Sequence, residues 1–333
     1  MGMLIDGVWC RDTNRFMKDG AFTREVSELP NPPPGVIAER LQKNTGVTLI
    51  VSPSCPWSHR TTLVRALKGL DDLSVFMTGG QRLEGYAIPA CNEADTKEIP
   101  IRHVHQFYSA TKRDYTGRAT VPLLWHPETR TILSNSSATI ARALDLARYD
   151  WRLAPDAMTT KIDTLTSRIY SGLSNAVYRA GFATAQKAYD EAVDDVFATL
   201  DWLELQLASR RCLIGNQITE ADLFLFATLV RFDSVYASLF RCTRRRLIDY
   251  PALWAYARDL YSLPGIAETF DFEANLEGYF QNDTDTNPHG IVPKLPDVDW
   301  TKPHGRTHLG TLTVWRDGAL IPFDDISAAN HAA

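Results

Sequence analysis

Cys55 is the residue of the chain best placed for chemistry. It follows the β-branched apolar run Val47–Val51 by a short turn, and it directly precedes Pro56, where a helical pattern (HRTTLVRALKGL) takes over. The first turn of a helix carries unpaired N–H groups and the positive end of the dipole, which together stabilise an anion. A thiolate is the nucleophilic form of cysteine. Pro56 suits that first turn, because its missing N–H costs nothing there. A lone cysteine most often fills a gap in a core, but the strand–Cys–Pro–helix context favours the nucleophile. Three residues on stands Ser58, not a second cysteine. An internal dithiol cycle is therefore unavailable, and any disulfide chemistry is monothiol, with the second sulfur supplied by a small molecule.

Two further segments carry polar groups suited to such a ligand. In Thr120-Val121-Pro122 a proline stands at the start of a strand, where it cannot donate to the ladder and belongs at an edge or beside a ligand. If the Val121–Pro122 bond is cis, the Val121 backbone turns outward and can pair with a peptide-like molecule in strand fashion. Ser136 and Ser137 open a helix, where hydroxyls and N–H groups suit a carboxylate. Capping their own helix serves equally well, and the residues alone do not choose. Tyr170, Tyr178, Tyr189, Tyr236 and Tyr279 fall in helical segments, where core packing with a satisfied hydroxyl is the ordinary outcome. His103-x-His105 has no further ligand at metal spacing and reads as solvated histidines, so no metal is expected. The basic run Arg241–Arg246 reads as a solvated helix end, or as an anchor for an anionic ligand or subunit.

These residues need elements to hold them. The first forty-odd residues lack sustained periodicity, and NPPPG at Asn31–Gly35 reads as a stiff, helix-refusing connector. Val47–Val51 is a strand of buried type, followed by a helix with Leu63, Val64 and Leu67 inward and Gly69 as its stop, then a second strand at Leu73–Met77. That is the βαβ opening of an α/β domain. After a polar stretch, Thr120–His126 reads as a third strand and Thr129–Ser134 as its hairpin partner, with a helix from Ser134. From Asp156 the pattern turns to long helices with apolar residues three and four apart. Within them Thr219 and Asp222 form a capping-box pair, flanked by Ile218 and Leu223 as a hydrophobic staple. The expected organisation is an arm over 1–45, an α/β domain over 46–150, an all-helical domain over 151–282, and a surface-draped tail over 283–333.

Composition narrows the function. The 333 residues are 44% hydrophobic and 23% charged, which is globular composition. Thirty-five basic against 40 acidic side chains leave a formal charge of −5, the wrong sign for a phosphate-tracking nucleic-acid binder. The longest strongly apolar run, Leu223–Val230, is too short to span a bilayer, and the N-terminus shows no secretory pattern. Five cysteines at positions 10, 55, 91, 212 and 242 show no disulfide-framework spacing, which points to a reducing, cytoplasmic setting.

Several segments together resemble one family. SCPWSHR (Ser54–Arg60), YTGRATVPLLW (Tyr115–Trp125), SNSSATI (Ser134–Ile140), VYRAGFATAQKAYDEAV (Val177–Val193), GNQITEADLFLFATLVRFDSVY (Gly215–Tyr236), DLYSLPGIAETF (Asp259–Phe270), Tyr279-Phe280, NPHGIVP (Asn287–Pro293) and PHGR (Pro303–Arg306) resemble the glutathionyl-hydroquinone reductases, the Xi class of glutathione transferases. The resemblance covers most of the chain. It implies a thioredoxin-like domain followed by an all-α domain, a homodimer through the helical domains, and glutathione as co-substrate.

The resemblance also implies residue roles. Cys55 attacks the sulfur of a glutathionyl-hydroquinone, and Tyr178 protonates the departing ring carbon. Tyr236 and Tyr279 hydrogen-bond the cysteine. Arg118, Ala119, Thr120 and Val121 line the glutathione strand, and Ser137 meets the γ-glutamyl end. Two positions depart from the family. Ser136 stands where Glu is usual, and Tyr86 stands in place of a loop tryptophan, so another low-molecular-weight thiol is an alternative co-substrate. Other readings are a general thioltransferase or dehydroascorbate reductase, and a non-catalytic scaffold on the same fold.

Overall fold

The computed structural model describes residues 2–11, 17–24, 27–43, 46–89, 101–283 and 285–330. The chain forms two compact units. Cys91 lies outside the described residues.

The first unit comprises Met1–Met17, Thr23–Arg148 and Phe270–Val292. It opens with a hairpin of β1 (Met3–Ile5) and β2 (Val8–Cys10). Leu4 exchanges both backbone hydrogen bonds with Gly117, at 2.9 Å each, which ties the N-terminal segment to the approach of the third sheet strand. Next comes α1 (Pro34–Gln42), which begins inside the proline run expected to refuse a helix. The reason is positional. Pro33 is the N-cap and Pro34 the first helical residue, where a fixed φ helps and no N–H is missed.

A four-stranded sheet follows, built from β3 (Thr48–Val51), β4 (Ser74–Met77), β5 (Leu123–His126) and β6 (Thr131–Ser134) in the order β4-β3-β5-β6. β3 runs parallel to β4 and antiparallel to β5, with Leu49 opposite Val75 and Leu124. The crossover between the parallel pair is α2 (Pro56–Leu67), whose Leu63, Val64 and Leu67 are buried as the pattern predicts. Gly69 stops it at φ 55°, a left-handed conformation that glycine adopts without Cβ strain. The short α3 (His105–Thr111) buries Phe107 and Tyr108, and α4 (Ser137–Ala147) follows β6. This mixed sheet flanked by helices is the expected thioredoxin-like arrangement.

The second unit comprises Lys18–Phe22, Tyr149–Thr269 and Pro293–Ala333. It holds β7 (Trp151–Arg152) and the helices α5 (Thr159–Ile169), α6 (Ala176–Gly181), α7 (Gln186–Leu207), α8 (Glu220–Leu229) and α9 (Pro251–Tyr261). Every residue of α8 is buried, and its start is fastened as the sequence indicates. Asp222 Oδ2 accepts from Thr219 N at 2.9 Å and Thr219 Oγ1 at 2.8 Å, while Oδ1 accepts from Leu213 N and Tyr256 OH, both at 2.9 Å. The next helix, α10 (Phe272–Phe280), groups with the first unit.

The final segment is more deeply integrated than a surface drape. β8 (Thr313–Arg316) pairs on one side with β7 and on the other with β9 (Ala319–Pro322). Upstream, Arg306 is only 3% exposed and donates to the carbonyls of Leu207, Ala252 and Arg211 at 3.0–3.2 Å. The Leu207 carbonyl is one of those that the C-terminus of α7 leaves without an intrahelical donor, and the bond to Ala252 ties the same side chain to the start of α9. No described helix is long and apolar enough to cross a membrane.

Candidate active site

Cys55 is the N-cap residue of α2, in extended conformation (φ −85°, ψ 117°), with Pro56 at the first helical position. Its carbonyl accepts the first intrahelical bond from His59 N at 3.0 Å. The side chain is buried, 6% exposed, and Sγ donates to Val121 O at 3.4 Å. The turn that delivers it is closed from within. Cys55 N donates to Ser52 O at 3.1 Å, and Ser52 N donates to Ser58 Oγ at 3.2 Å. The position that would carry a second cysteine in a dithiol site thus holds a hydroxyl that braces the nucleophile's own loop. Trp57 packs against the hydrophobic cluster that contains Cys55, with the Arg60 guanidinium 4.3 Å from its ring centre.

The Val121–Pro122 peptide is cis. Thr120 is held in register by Tyr108, a residue that sequence reasoning did not single out. The Tyr108 hydroxyl donates to Thr120 O at 2.9 Å and accepts from Thr120 N and from Asn135 Nδ2, both at 3.1 Å. Burial pushes this phenol up to about 12, and its three hydrogen bonds make it a fixed post for the strand entry. Before it in the chain, the Arg118 carbonyl accepts from Tyr115 OH at 3.3 Å, and Ala119 packs against the hydrophobic cluster that contains Cys55 and Val121.

Ser136 is the N-cap of α4, and its Oγ accepts from Thr139 N at 3.3 Å. The capping that the sequence allows for this hydroxyl is thus present. Ser137 is the first residue of the helix and is partly exposed.

On the opposite side of β3, past the end of β4, Tyr86 lies under Arg82, with the guanidinium 4.3 Å from the ring centre. Burial pushes the Tyr86 phenol up to about 12 although Arg82 pulls the other way. Arg82 Nη2 donates to Ser54 Oγ at 2.6 Å, and its backbone N–H donates to Asn282 Oδ1 at 2.7 Å. Burial works against its charge, but the neighbouring Tyr86, Asp283, Cys55 and Tyr279 outweigh that and raise its pKa above the ordinary value. Arg82 therefore gathers three sequence-predicted residues (Cys55, Tyr86 and Tyr279) around one cation. No periodicity or motif marks it; it stands in a short polar loop after two glycines.

Tyr279 is buried on α10, and the residue before it explains how that helix approaches. A Cβ on Gly278 would lie 2.5 Å from Ser54 Cβ and 2.6 Å from Ser54 Oγ. Only glycine lets the helix backbone come this close to the turn before the nucleophile. A glycine inside a helical pattern was the available signal for it.

Tyr178 and Tyr236 belong to the second unit, where the structure brings them together. Their rings are 6.0 Å apart, edge to face, and each also contacts Phe240, at 5.3 and 5.5 Å. Tyr236 ends a π-helical turn, Phe232–Tyr236, of the kind that often marks a functional position. The two motifs set aside earlier form other structures. His103 and His105 stack on each other and face Glu84, with His105 Nε2 3.4 Å from Glu84 Oε2. The basic run makes surface ion pairs, Arg244 with Asp194 at 2.6 Å and Arg246 with Asp249 at 2.9 Å.

Comparison with known proteins agrees with this architecture. Family models described as glutathione S-transferase, N-terminal domain, and glutathione S-transferase, C-terminal domain, match residues 54–147 and 186–259. The chain is 42% identical to glutathionyl-hydroquinone reductase YqjG of Escherichia coli K12, over 92% of this chain and 98% of that protein. The glutathione-bound structure of YqjG superposes with a TM-score of 0.74 at 43% identity, covering 78% of this chain and 88% of that one. A Xi-class glutathione transferase from Natrialba magadii superposes with a TM-score of 0.80 at 38% identity, covering 92% and 97%.

Proposed function

The chain belongs to the glutathionyl-hydroquinone reductases, the Xi class of glutathione transferases, and on that premise we propose how its residues perform the reduction of glutathionyl-hydroquinones by glutathione. Cys55 thiolate attacks the thioether sulfur of the conjugate. The sulfur–sulfur bond forms as the sulfur–ring-carbon bond breaks, and the electron pair leaves with the ring carbon. Tyr178 delivers a proton to that carbon, so free hydroquinone departs and a Cys55–glutathione mixed disulfide remains. A second glutathione attacks as thiolate, releases oxidised glutathione and restores the Cys55 thiolate. One thioether and one thiol thus become one disulfide and one reduced ring. Tyr236 and Tyr279 hold the cysteine sulfur, and Arg118, Ala119, Thr120, Val121 and Ser137 hold the thiol co-substrate.

The observation that carries this reading is the placement of Cys55 at the N-cap of α2 beside the Val121 carbonyl, with Ser58 in place of a resolving cysteine. The test is turnover of a glutathionyl-hydroquinone with glutathione as sole reductant, wild type beside Cys55→Ala. Release of hydroquinone by the wild type alone is expected. Equal turnover by the variant would remove Cys55 from the mechanism.

A second reading is favoured by Ser136, whose oxygen is engaged in capping α4 where the family usually has Glu. The co-substrate is then a low-molecular-weight thiol lacking a γ-glutamyl ammonium, and it would outcompete glutathione in the same assay. We place the enzyme in the cytoplasm as a homodimer associated through its helical unit, which light scattering on the purified protein tests.

A further inference from the structure

Tyr178 rides on α6, a helix of only six residues. A helix this short does not stabilise itself, and its direction is set by what fastens its ends. Its last carbonyls lack intrahelical donors and form the negative end of the helix dipole. Two of them are taken by one side chain from elsewhere in the second unit. Arg241 Nη2 donates to Gly181 O at 2.8 Å and to Ala180 O at 3.2 Å. Much of Arg241 is exposed, so water screens its charge, and what it supplies to α6 is chiefly direction.

The backbone at Arg241 is unusual. Its φ is 60°, in the left-handed region that a residue with a Cβ seldom enters. Such a conformation persists where the surroundings over-determine it. Here they do. The Arg241 carbonyl accepts from Tyr189 OH at 2.7 Å, and the next residue, Cys242, donates its N–H to Tyr236 O at 3.0 Å. The residue before, Phe240, is fully buried and so near α6 that a Cβ on Gly181 would meet its ring at 2.4 Å. That ring lies 5.3 Å from the ring of Tyr178 and 5.5 Å from that of Tyr236. The turn thus presents a ring and a guanidinium to the same short helix. The ring bears on the Tyr178 side chain, and the guanidinium holds the backbone just beyond it. A turn that only closed a loop would be served better by glycine or asparagine. The side chain that strains this turn is the one that reaches α6.

We propose that Arg241 is a positioning residue for Tyr178, fixing the end of α6 so that the phenol meets the departing ring carbon. This rests on the reductase reading, in which Tyr178 supplies the proton to that carbon. Arg241 itself touches neither the substrate nor the sulfur. The two halves of the reaction then differ in their need for it. Cleavage of the sulfur–ring-carbon bond requires the Tyr178 proton, whereas attack of the second glutathione on the Cys55–glutathione disulfide protonates no carbon.

The test measures the two halves separately in the full-length enzyme. Hydroquinone released in a single turnover, with enzyme in excess and no free glutathione, reports the first. Decay of the preformed Cys55–glutathione disulfide on addition of glutathione reports the second. Arg241→Gly keeps the left-handed turn and removes the guanidinium. It is expected to slow hydroquinone release about tenfold, part of the roughly hundredfold or more that a general acid contributes, and to change disulfide resolution by less than about twofold. Tyr178→Phe is expected to slow the same half, and adding Arg241→Gly to it should cost nothing further, because the arginine acts through the phenol. If Arg241→Gly folds poorly, Arg241→Asn takes its place, since asparagine also tolerates a left-handed backbone. Slowing by Tyr178→Phe but not by the Arg241 variant, equal slowing of both halves, or a double variant slower than Tyr178→Phe overturns the proposal and leaves the reductase reading standing. Hydroquinone release unaffected by Tyr178→Phe removes the proton-donor role from that reading, and the proposal with it.

Discussion

The backbone of Gly278 packs directly against the side chain of Ser54: a single added Cβ on Gly278 would fall 2.5 Å from Ser54 Cβ. The helix that carries Tyr279 is thereby registered against the residue preceding Cys55. Gly278→Ala is expected to push α10 away, at a cost of about 1–3 kcal/mol typical of overpacking. Turnover should fall at least tenfold in a protein that still folds, and Ser54→Gly in the same chain should recover part of it. Steady-state kinetics alongside thermal denaturation checks this, and an alanine variant with wild-type activity would show that the close approach is dispensable.

Tyr108 offers a test of how the thiol strand is held. Tyr108→Phe removes the hydroxyl shared by Thr120 N–H, Thr120 C=O and Asn135. A stability loss of about 1–3 kcal/mol is expected, together with a KM for the thiol raised severalfold and a kcat changed less. A change confined to kcat would point to a role nearer the chemistry.

Asp222 fastens the helical unit through four hydrogen bonds. Asp222→Ala strands two backbone donors and the Tyr256 hydroxyl in a buried setting, with an expected cost of about 3–5 kcal/mol. Urea denaturation should show this, with Ser136→Ala as a partly buried cap for comparison, costing about 1 kcal/mol.

The Asp283 carboxyl is pushed up to about 6, by burial first and by Asp285 in addition, although Arg82 pulls it down. A carboxyl raised from 3.8 contributes stability that is complete below about pH 4 and is lost as pH rises through about 6. Asp283→Asn should therefore be more stable than wild type at pH 8, by about 1–3 kcal/mol, and should converge with it near pH 4. A difference that is the same at both pH values would show that the carboxyl's ionisation has no part in it.

What the sequence made legible were the features with local causes. The run Val47–Val51 is β-branched and short, so it reads as the buried strand Thr48–Val51, and Cys55-Pro56 reads as a helix start because proline tolerates only that helical position. Thr219 and Asp222 announce their capping box at its fixed spacing. Residues whose roles depend on distant partners stayed silent. Arg82 acquires its meaning from Ser54 and Asn282, far away along the chain, and nothing in GGQRLEG marks it. Tyr108 looks like any core tyrosine until Thr120 is placed against it. The strand Thr313–Arg316 is too short to show alternation, and its partner Trp151–Arg152 is only two residues long. Arg306 read only as part of a matching tail segment, because a buried arginine bound to carbonyls has no sequence pattern at all.

The division of the chain into interleaved units has a consequence for biosynthesis. The first unit takes its last helix from Phe272–Phe280, and the second takes a strand from Thr313–Arg316. A ribosome adding about 5–20 residues per second needs roughly 10–45 s to travel from Cys55 to that helix. Throughout that interval the nascent chain displays its nucleophilic thiol without the helix that later covers Ser54, and neither unit can complete itself while it is being made. The first unit therefore closes only once Phe272–Phe280 has been made, and the second only once Thr313–Arg316 has, so both units assemble in an order that runs against the order of synthesis.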